Sequence, residues 1–232
     1  IPFAELRDKY QPKAKVIRQL GNVIDTIHPE VTKNVLCSSK KVFHNLPEGT
    51  HKILYRQEFN TDYYFNNLYM PGKTVRNFMH CCPSVKESYE PFMAVKELLK
   101  DKFMFFMHGM LGHNGIVPHH INQSILENTM FLWHVKPWGD GFGYNMHYAA
   151  AMGIPIITRY SDYKDELAGE FLIPGETCID IENKSPEVIA AEILFWEKRY
   201  EQMSESIYKA WEKVCNYDKD FERIKVFLEN LK

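Results

Sequence analysis

Asp140, Gly141 and Gly143 stand in the stretch KPWGDGFGYNMHYAAAMGIPIIT, from Lys136 to Thr158, and bring an acid and two glycines to the start of a small-residue run. The chemistry this combination suits is the holding of an anion. A helix from Tyr144 to Met152 would put the amides of Gly143, Tyr144 and Asn145 at its positively polarised end, where a phosphate or carboxylate is stabilised. Gly141 and Gly143 permit backbone geometry that other residues resist, and Gly153 stands where a helix usually stops. Ala149 to Ala151 would let a sheet approach closely. Lys136 would add a cation to such a site, or simply be a solvated surface charge. Asp140 would either face the ligand or do no more than favour the helix dipole.

Strands must carry this loop. TMFLWHV (Thr129 to Val135) before it and IPIIT after it are apolar, partly β-branched and without polar alternation, which is the pattern of strands buried on both faces. The same alternation of strand and helix runs along most of the chain. Ala14 to Gln19, Asn34 to Ser39 and His51 to Gln57 read as three short strands, followed by a turn-rich segment from Asn60 to Lys73 that reads as a linker. Thr74 to Cys82 reads as a strand, Ser84 to Lys100 as a helix that Pro91 kinks or delays, and Phe103 to Gly109 as a strand. His119 to Asn128 reads as a short helix, and Ser161 to Gly169 as a polar, helix-like piece. One long helix is expected with Ser185 as N-cap, Pro186 at its first position and a stripe of Ile189, Ile193, Trp196, Tyr200, Met203, Ile207 and Trp211. A last amphipathic helix carries Phe221, Ile224, Leu228 and Leu231. The class is α/β with mainly parallel sheets, and ligands of such sheets sit at the carboxyl ends of strands. His108, ending a strand beside Gly109, would stand at such an end, as a ligand contact or as a structural histidine.

Composition excludes several function classes. With 232 residues, 45% hydrophobic content and 25% charged content, the chain is globular. Its 28 Lys+Arg against 30 Asp+Glu give a net charge of −2, so no overall field calls for nucleic acid or an anionic membrane. The five cysteines are scattered without paired CxxC spacing, which favours a reducing, cytoplasmic setting over a disulfide framework or a zinc site. No apolar run approaches the roughly twenty residues that span a bilayer, and the opening IPFAELRDKY has no signal-peptide pattern. The absence of a GxGxxG after the first strand argues against a Rossmann dehydrogenase.

The order of the pieces from Asn114, NGIVPHHINQSILENTMFLWHVKPWGDGFGYNMHYAAAMGIPIITRYSDYKDELAG, resembles the carboxyl-terminal, nucleotide-sugar-binding domain of GT-B glycosyltransferases of the retaining, glycogen-synthase-like group. The matching motifs are GIVP, Asp140-Gly-Phe-Gly143, AAAMGIPIIT and DELAG. Upstream, NVLCSSKKVFHNLPEGTHKILYRQEFNTDYYF resembles the end of that family's amino-terminal domain. The resemblance implies a Rossmann-like parallel sheet with helices on both faces over residues 73–215. It implies a smaller, partial α/β acceptor-side domain and linker over 1–72, and a terminal helix over 216–232 that packs back on the amino-terminal part.

What the resemblance implies for function is transfer of a sugar from a nucleoside diphosphate sugar to an acceptor of unknown kind, without a metal and without a cofactor. Asp140 would touch the donor sugar, and Lys86 would stand where the family has a phosphate-binding lysine. Lys136 and the loop Gly141, Phe142, Gly143, Tyr144 and Asn145 would meet the diphosphate, while His108, Gly109 and the backbone of Ile116 would lie near the nucleotide. The aromatic cluster from Asp62 to Tyr69 would line the cleft between domains or pack the linker down.

Two places depart from the pattern. Tyr148 stands where the family has a second glutamate, which replaces a bidentate carboxylate by a single hydroxyl. His80 and Cys81 stand where the family has Gly-Arg, so an expected phosphate-binding arginine is absent. These departures keep two rivals open: a non-catalytic nucleotide-sugar-binding module or subunit, and a GT-B-fold nucleotide-sugar epimerase.

Overall fold

The computed structural model describes residues 3–22, 33–65, 71–79 and 82–231. His80 and Cys81, and residues 66–70 of the aromatic segment, lie outside the described residues. The chain divides into two compact units, one made of Ile1–Glu58, Asp140–Phe142 and Asn216–Lys232, the other of Phe59–Gly139 and Gly143–Cys215.

The first unit begins with α1 (Phe3–Tyr10), β1 (Arg18–Leu20), β2 (Asn34–Cys37), α2 (Lys40–Asn45) and β3 (His51–Leu54). Its strands form a parallel sheet in the order β1-β2-β3, with Gln19 beside Leu36 and Leu36 beside Ile53. Leu20, Val35, Cys37, Val42 and Leu46 make its core. Ser39 starts α2 by accepting a hydrogen bond from the Val42 amide at 3.2 Å, the usual way a serine satisfies an otherwise unpaired first-turn donor.

The second unit contains β4 (Thr74–Asn77), α3 (Lys86–Leu99), β5 (Met104–Met107), α4 (His119–Glu127), β6 (Phe131–Trp133), α5 (Tyr144–Ala151), β7 (Ile156–Thr158), β8 (Cys178–Asp180), α6 (Pro186–Glu197) and α7 (Tyr200–Val214). Its five strands are all parallel, in the order β5-β4-β6-β7-β8. Side chains alternate between two cores with the period of two that strands impose. Phe131, Trp133 and Ile157 pack with α3 and α6, whereas Leu132 and Ile156 pack with α5 and α7. Burial on both sides explains why these strands read as unbroken apolar runs. The three alanines of α5 are fully covered in the second core.

The single long helix expected after Ser185 is two helices, and its stripe serves two cores, the change of core falling within α7. Ile189, Ile193, Tyr200 and Met203 belong to one, and Ile207 and Trp211 to the other. The break falls at Lys198 and Arg199, where Arg199 leaves helical geometry (φ −127°, ψ 27°) and its guanidinium lies 4.0 Å above the Phe195 ring. Ser185 holds the N-cap position before Pro186, yet its side chain makes no capping bond to the backbone. The piece from Ser161 to Gly169 forms two short 3₁₀ turns, at Tyr160–Asp162 and Ala168–Glu170, in place of a helix. Pro91 lies inside α3, which starts at Lys86 after a 3₁₀ turn over Cys82–Ser84.

The last helix, α8 (Tyr217–Glu229), belongs to the first unit. Asp220 anchors it: the buried carboxylate accepts a hydrogen bond from the Arg56 amide at 3.1 Å and from Arg223 at 2.9 Å, and lies 3.7 Å from the Arg56 guanidinium. His51 stacks on Phe227 with ring centres 4.5 Å apart.

Candidate functional site

In the second sheet, β4 is followed by β5 on one side and has β6 on the other, so the strand order reverses between β4 and β6. The crevice outside the carboxyl ends of strands at such a reversal is where open α/β sheets hold ligands. Two glycine-bearing loops and one cleft lie along this edge.

The loop after β6 starts from Lys136, which is half-exposed and whose carbonyl accepts the Gly139 amide at 3.0 Å. Within that turn Trp138 has a left-handed backbone (φ 70°) and a side chain that is 72% exposed, an uncommon conformation for any residue with a Cβ. Gly139 (φ 78°) has no room for a side chain, because a Cβ would strike the carbonyl of Asp162. The sequence reading overlooked both Trp138 and Gly139.

Asp140, Gly141 and Phe142 count with the first unit, and Phe142 is buried. The demand on Gly141 is space and not a left-handed backbone: a Cβ would collide with the carbonyl of Gly21 and lie 2.9 Å from the Cβ of Ser39. Gly143 is the residue with the special geometry (φ 77°, ψ 63°). Its carbonyl accepts the amides of Met146 at 2.9 Å and His147 at 3.1 Å, which begins α5. The amides of Gly143, Tyr144 and Asn145 precede these bonds, at the positive end of the helix. Tyr148 points into the second core, 7% exposed, stacked on Tyr64 at 4.0 Å and edge-on to Phe59 at 4.8 Å. Burial, and then the neighbouring Tyr64 and Tyr144, push its hydroxyl pKa upward. Phe59, just before the expected linker, and Tyr64, within it, thus pack against α5.

The loop after β5 is closed by its own backbone, with Gly109 N–H donating to Gly115 at 2.9 Å and Asn114 N–H to Met107 at 3.0 Å. Gly109 (φ 116°) and Gly115 (φ 68°) adopt backbones that favour glycine, and Ile116 beyond them is 65% exposed. His108 is buried between Phe78, at 5.0 Å, and Phe106, at 6.1 Å. Its Nε2 lies 3.1 Å from the guanidinium of Arg76, which sits 4.0 Å over the Phe106 ring. Burial, reinforced by the Arg76 charge, lowers the His108 pKa to about 4. The imidazole is therefore neutral near pH 7, and Nε2 accepts from Arg76. Arg76, one arginine in an otherwise ordinary strand, was not singled out from sequence.

Lys86, the first residue of α3, has a side chain 76% exposed and 3.7 Å from Glu90. It lines a cleft of about 800 Å³ whose walls include Glu87, Glu90, Arg159, Glu182 and Lys184. None of His108, Gly109, Ile116, Lys136, Tyr144, Asn145 and Tyr148 lines this cleft. The structure therefore groups Lys86 with Arg159, a residue the sequence reading passed over. The available signal was its place directly after the buried strand IPIIT.

No protein-family model matches the chain, and no curated protein does. Solved structures do match. HepE of Anabaena, solved with UDP and glucose, aligns over 94% of this chain and 72% of its own, with a TM-score of 0.70 and 11% identity. A glycosyltransferase of Rickettsia africae aligns over 98% of this chain and 74% of its own (TM-score 0.71, 14% identity). TarM aligns over 97% of this chain, which spans 52% of TarM (TM-score 0.68, 12% identity). The chain has the α/β, Rossmann-like fold of the GT-B glycosyltransferases.

Proposed function

We propose that this chain is a glycosyltransferase that moves a sugar from a nucleoside diphosphate sugar, with a uridine nucleotide as the favoured donor, to an acceptor that its residues do not identify. The observation that carries this reading is the left-handed Gly143, which opens α5, the helix that follows β6 in the chain, β6 being a strand at the reversal of strand order. That placement aims helix amides at the ligand-binding edge of the sheet. The likeness to HepE, whose structure holds UDP and glucose, supports a uridine donor. Among the described residues no helix is long and apolar enough to cross a membrane.

Breaking the bond between sugar and diphosphate requires stabilising charge on the leaving oxygens. The amides of Gly143, Tyr144 and Asn145, with Lys86 and Lys136, supply positive charge in this reading without a metal or a cofactor. Asp140, three residues before Gly143, accepts hydrogen bonds from the sugar hydroxyls. Gly141 and Phe142 shape the turn between them. The closed loop of His108, Gly109 and Ile116 meets the base through its backbone. A binding module without turnover is the second reading, favoured by the packing of Tyr148 against Tyr64, which leaves a buried phenol where a ribose-binding carboxylate was expected.

A thermal-shift panel of UDP, GDP, ADP, CMP and their sugar conjugates tests the proposal, because a ligand of the folded state raises its apparent stability. The expected outcome is a shift with UDP and UDP-sugars, and slow release of UDP from the conjugate without acceptor. A shift without release selects the binding module. No shift with any nucleotide overturns both.

A further inference from the structure

We propose that Arg159 supplies the guanidinium of the diphosphate site, acting with Lys86 across the cleft that both residues line. The assignment rests on the glycosyltransferase reading and names a group in that site that neither the family resemblance nor the sequence had indicated. His80 and Cys81 occupy the positions where an arginine was expected, so a diphosphate carrying two or more negative charges would otherwise meet Lys86 with no guanidinium beside it.

Among the charges of the cleft, Lys184 and Glu182 are committed to partners, and Lys86 and Arg159 are available. Lys184 is held by Glu192 through two bonds of 2.7 and 2.8 Å, and Glu182 accepts a hydrogen bond from Ser161 at 2.8 Å. Lys86 and Arg159 are held loosely, each 3.7 Å from a carboxylate, Glu90 and Asp162 respectively. At that distance neither makes a hydrogen bond, so the donors of the guanidinium are not consumed by Asp162. A guanidinium is also the group best shaped to grip phosphate oxygens in pairs.

Position is as important as charge. Arg159 follows β7 at its carboxyl end, with its side chain 28% exposed. Its loop is tied down from both sides. The Asp180 carboxylate accepts the amides of Tyr160 at 3.0 Å and Glu182 at 3.1 Å, joining the segments after β7 and β8. Thr158, one residue earlier, donates its hydroxyl to the carbonyl of His134 at 2.7 Å. A cation on so fixed a backbone needs little reordering on binding, which is what preorganised recognition requires.

The test measures dissociation constants for UDP, inorganic pyrophosphate and uridine by calorimetry, on the wild-type chain and the variants Arg159→Met, Arg159→Lys, Lys86→Met and Asp162→Asn. Arg159→Met is expected to weaken UDP and pyrophosphate about tenfold or more, the usual loss for one charge-assisted contact. Uridine binding should stay as in wild type, and Arg159→Lys should recover part of the loss. Asp162→Asn removes the ion pair but keeps the guanidinium, so it should bind UDP at least as tightly as wild type. If Asp162→Asn and Arg159→Met lose UDP equally, Arg159 acts only by holding its loop, and the assignment falls. Wild-type UDP affinity in Arg159→Met also overturns it, while leaving the donor reading in place. Pyrophosphate that binds without displacing UDP moves the cleft outside the donor site and overturns the assignment too. A wild-type chain that binds none of the three refutes the donor reading along with it.

Discussion

His108 shows how a residue's chemistry is set by what surrounds it. As a sequence letter it is a group that titrates near pH 6.5. In the fold, burial and the Arg76 guanidinium lower its pKa to about 4. Between those two values the unfolded chain binds a proton that the folded chain refuses. Stability from this residue is therefore complete above about pH 6.5 and is lost as the pH falls toward 4, by at most about 3 kcal/mol. Urea unfolding of the wild type and of His108→Gln at pH 7 and pH 4.5 checks this. The expected result is a smaller pH dependence in the variant; equal dependence in both would show that His108 does not carry the effect. Neighbouring letters hide similar differences. Gly141 and Gly143 both read as sites of backbone freedom, yet one needs room and the other a left-handed backbone.

At the scale of elements, the turn that leads into α5 depends on close packing as much as on helix propensity. Gly141 lies against Gly21, just past β1, and against Ser39, just past β2. Gly141→Ala is expected to cost about 1–3 kcal/mol, the usual range for forcing an extra carbon into a packed site. Chemical denaturation gives the value, and a loss below about 0.5 kcal/mol would mean that the loop yields easily. The α5 helix itself was legible, since an alanine run between two apolar strands predicts a short helix pressed on a sheet. The division of the next apolar stripe into α6 and α7 was not. Spacings of three and four record which side of a helix is apolar, and they continue across the break at Lys198 and Arg199 without marking it.

For the molecule as a whole, the first unit is completed by the far end of the chain. Asp220 connects α8 to the backbone just beyond β3, and all its partners, Arg56 and Arg223, are cationic or amide donors. Asp220→Ala strands these groups partly buried, with an expected cost of about 2–3 kcal/mol. Hydrogen exchange should then show β3 and α8 losing protection together, as one cooperative part. Loss of protection in α8 with β3 unchanged would mean that the anchor is local to the helix. Nothing in the spacing of residues 56 and 220 announces this contact, because chain separation of this size leaves no periodic trace.

The class of the fold was readable from the sequence because buried parallel strands and the helices between them leave local marks: unbroken apolar runs, a small-residue helix, and glycines at turns. From the same marks a ligand-binding loop with Asp140 and Gly143 was expected at the carboxyl end of a strand. Only the tertiary structure decided which side chains meet there. The sheet order β5-β4-β6-β7-β8 sets strands from distant parts of the chain side by side, so Lys86 shares a cleft with Arg159, His108 contacts Arg76, and Tyr148 is spent on packing against Tyr64. Local preference acts over a few residues, whereas a site is assembled by contacts between residues tens of positions apart.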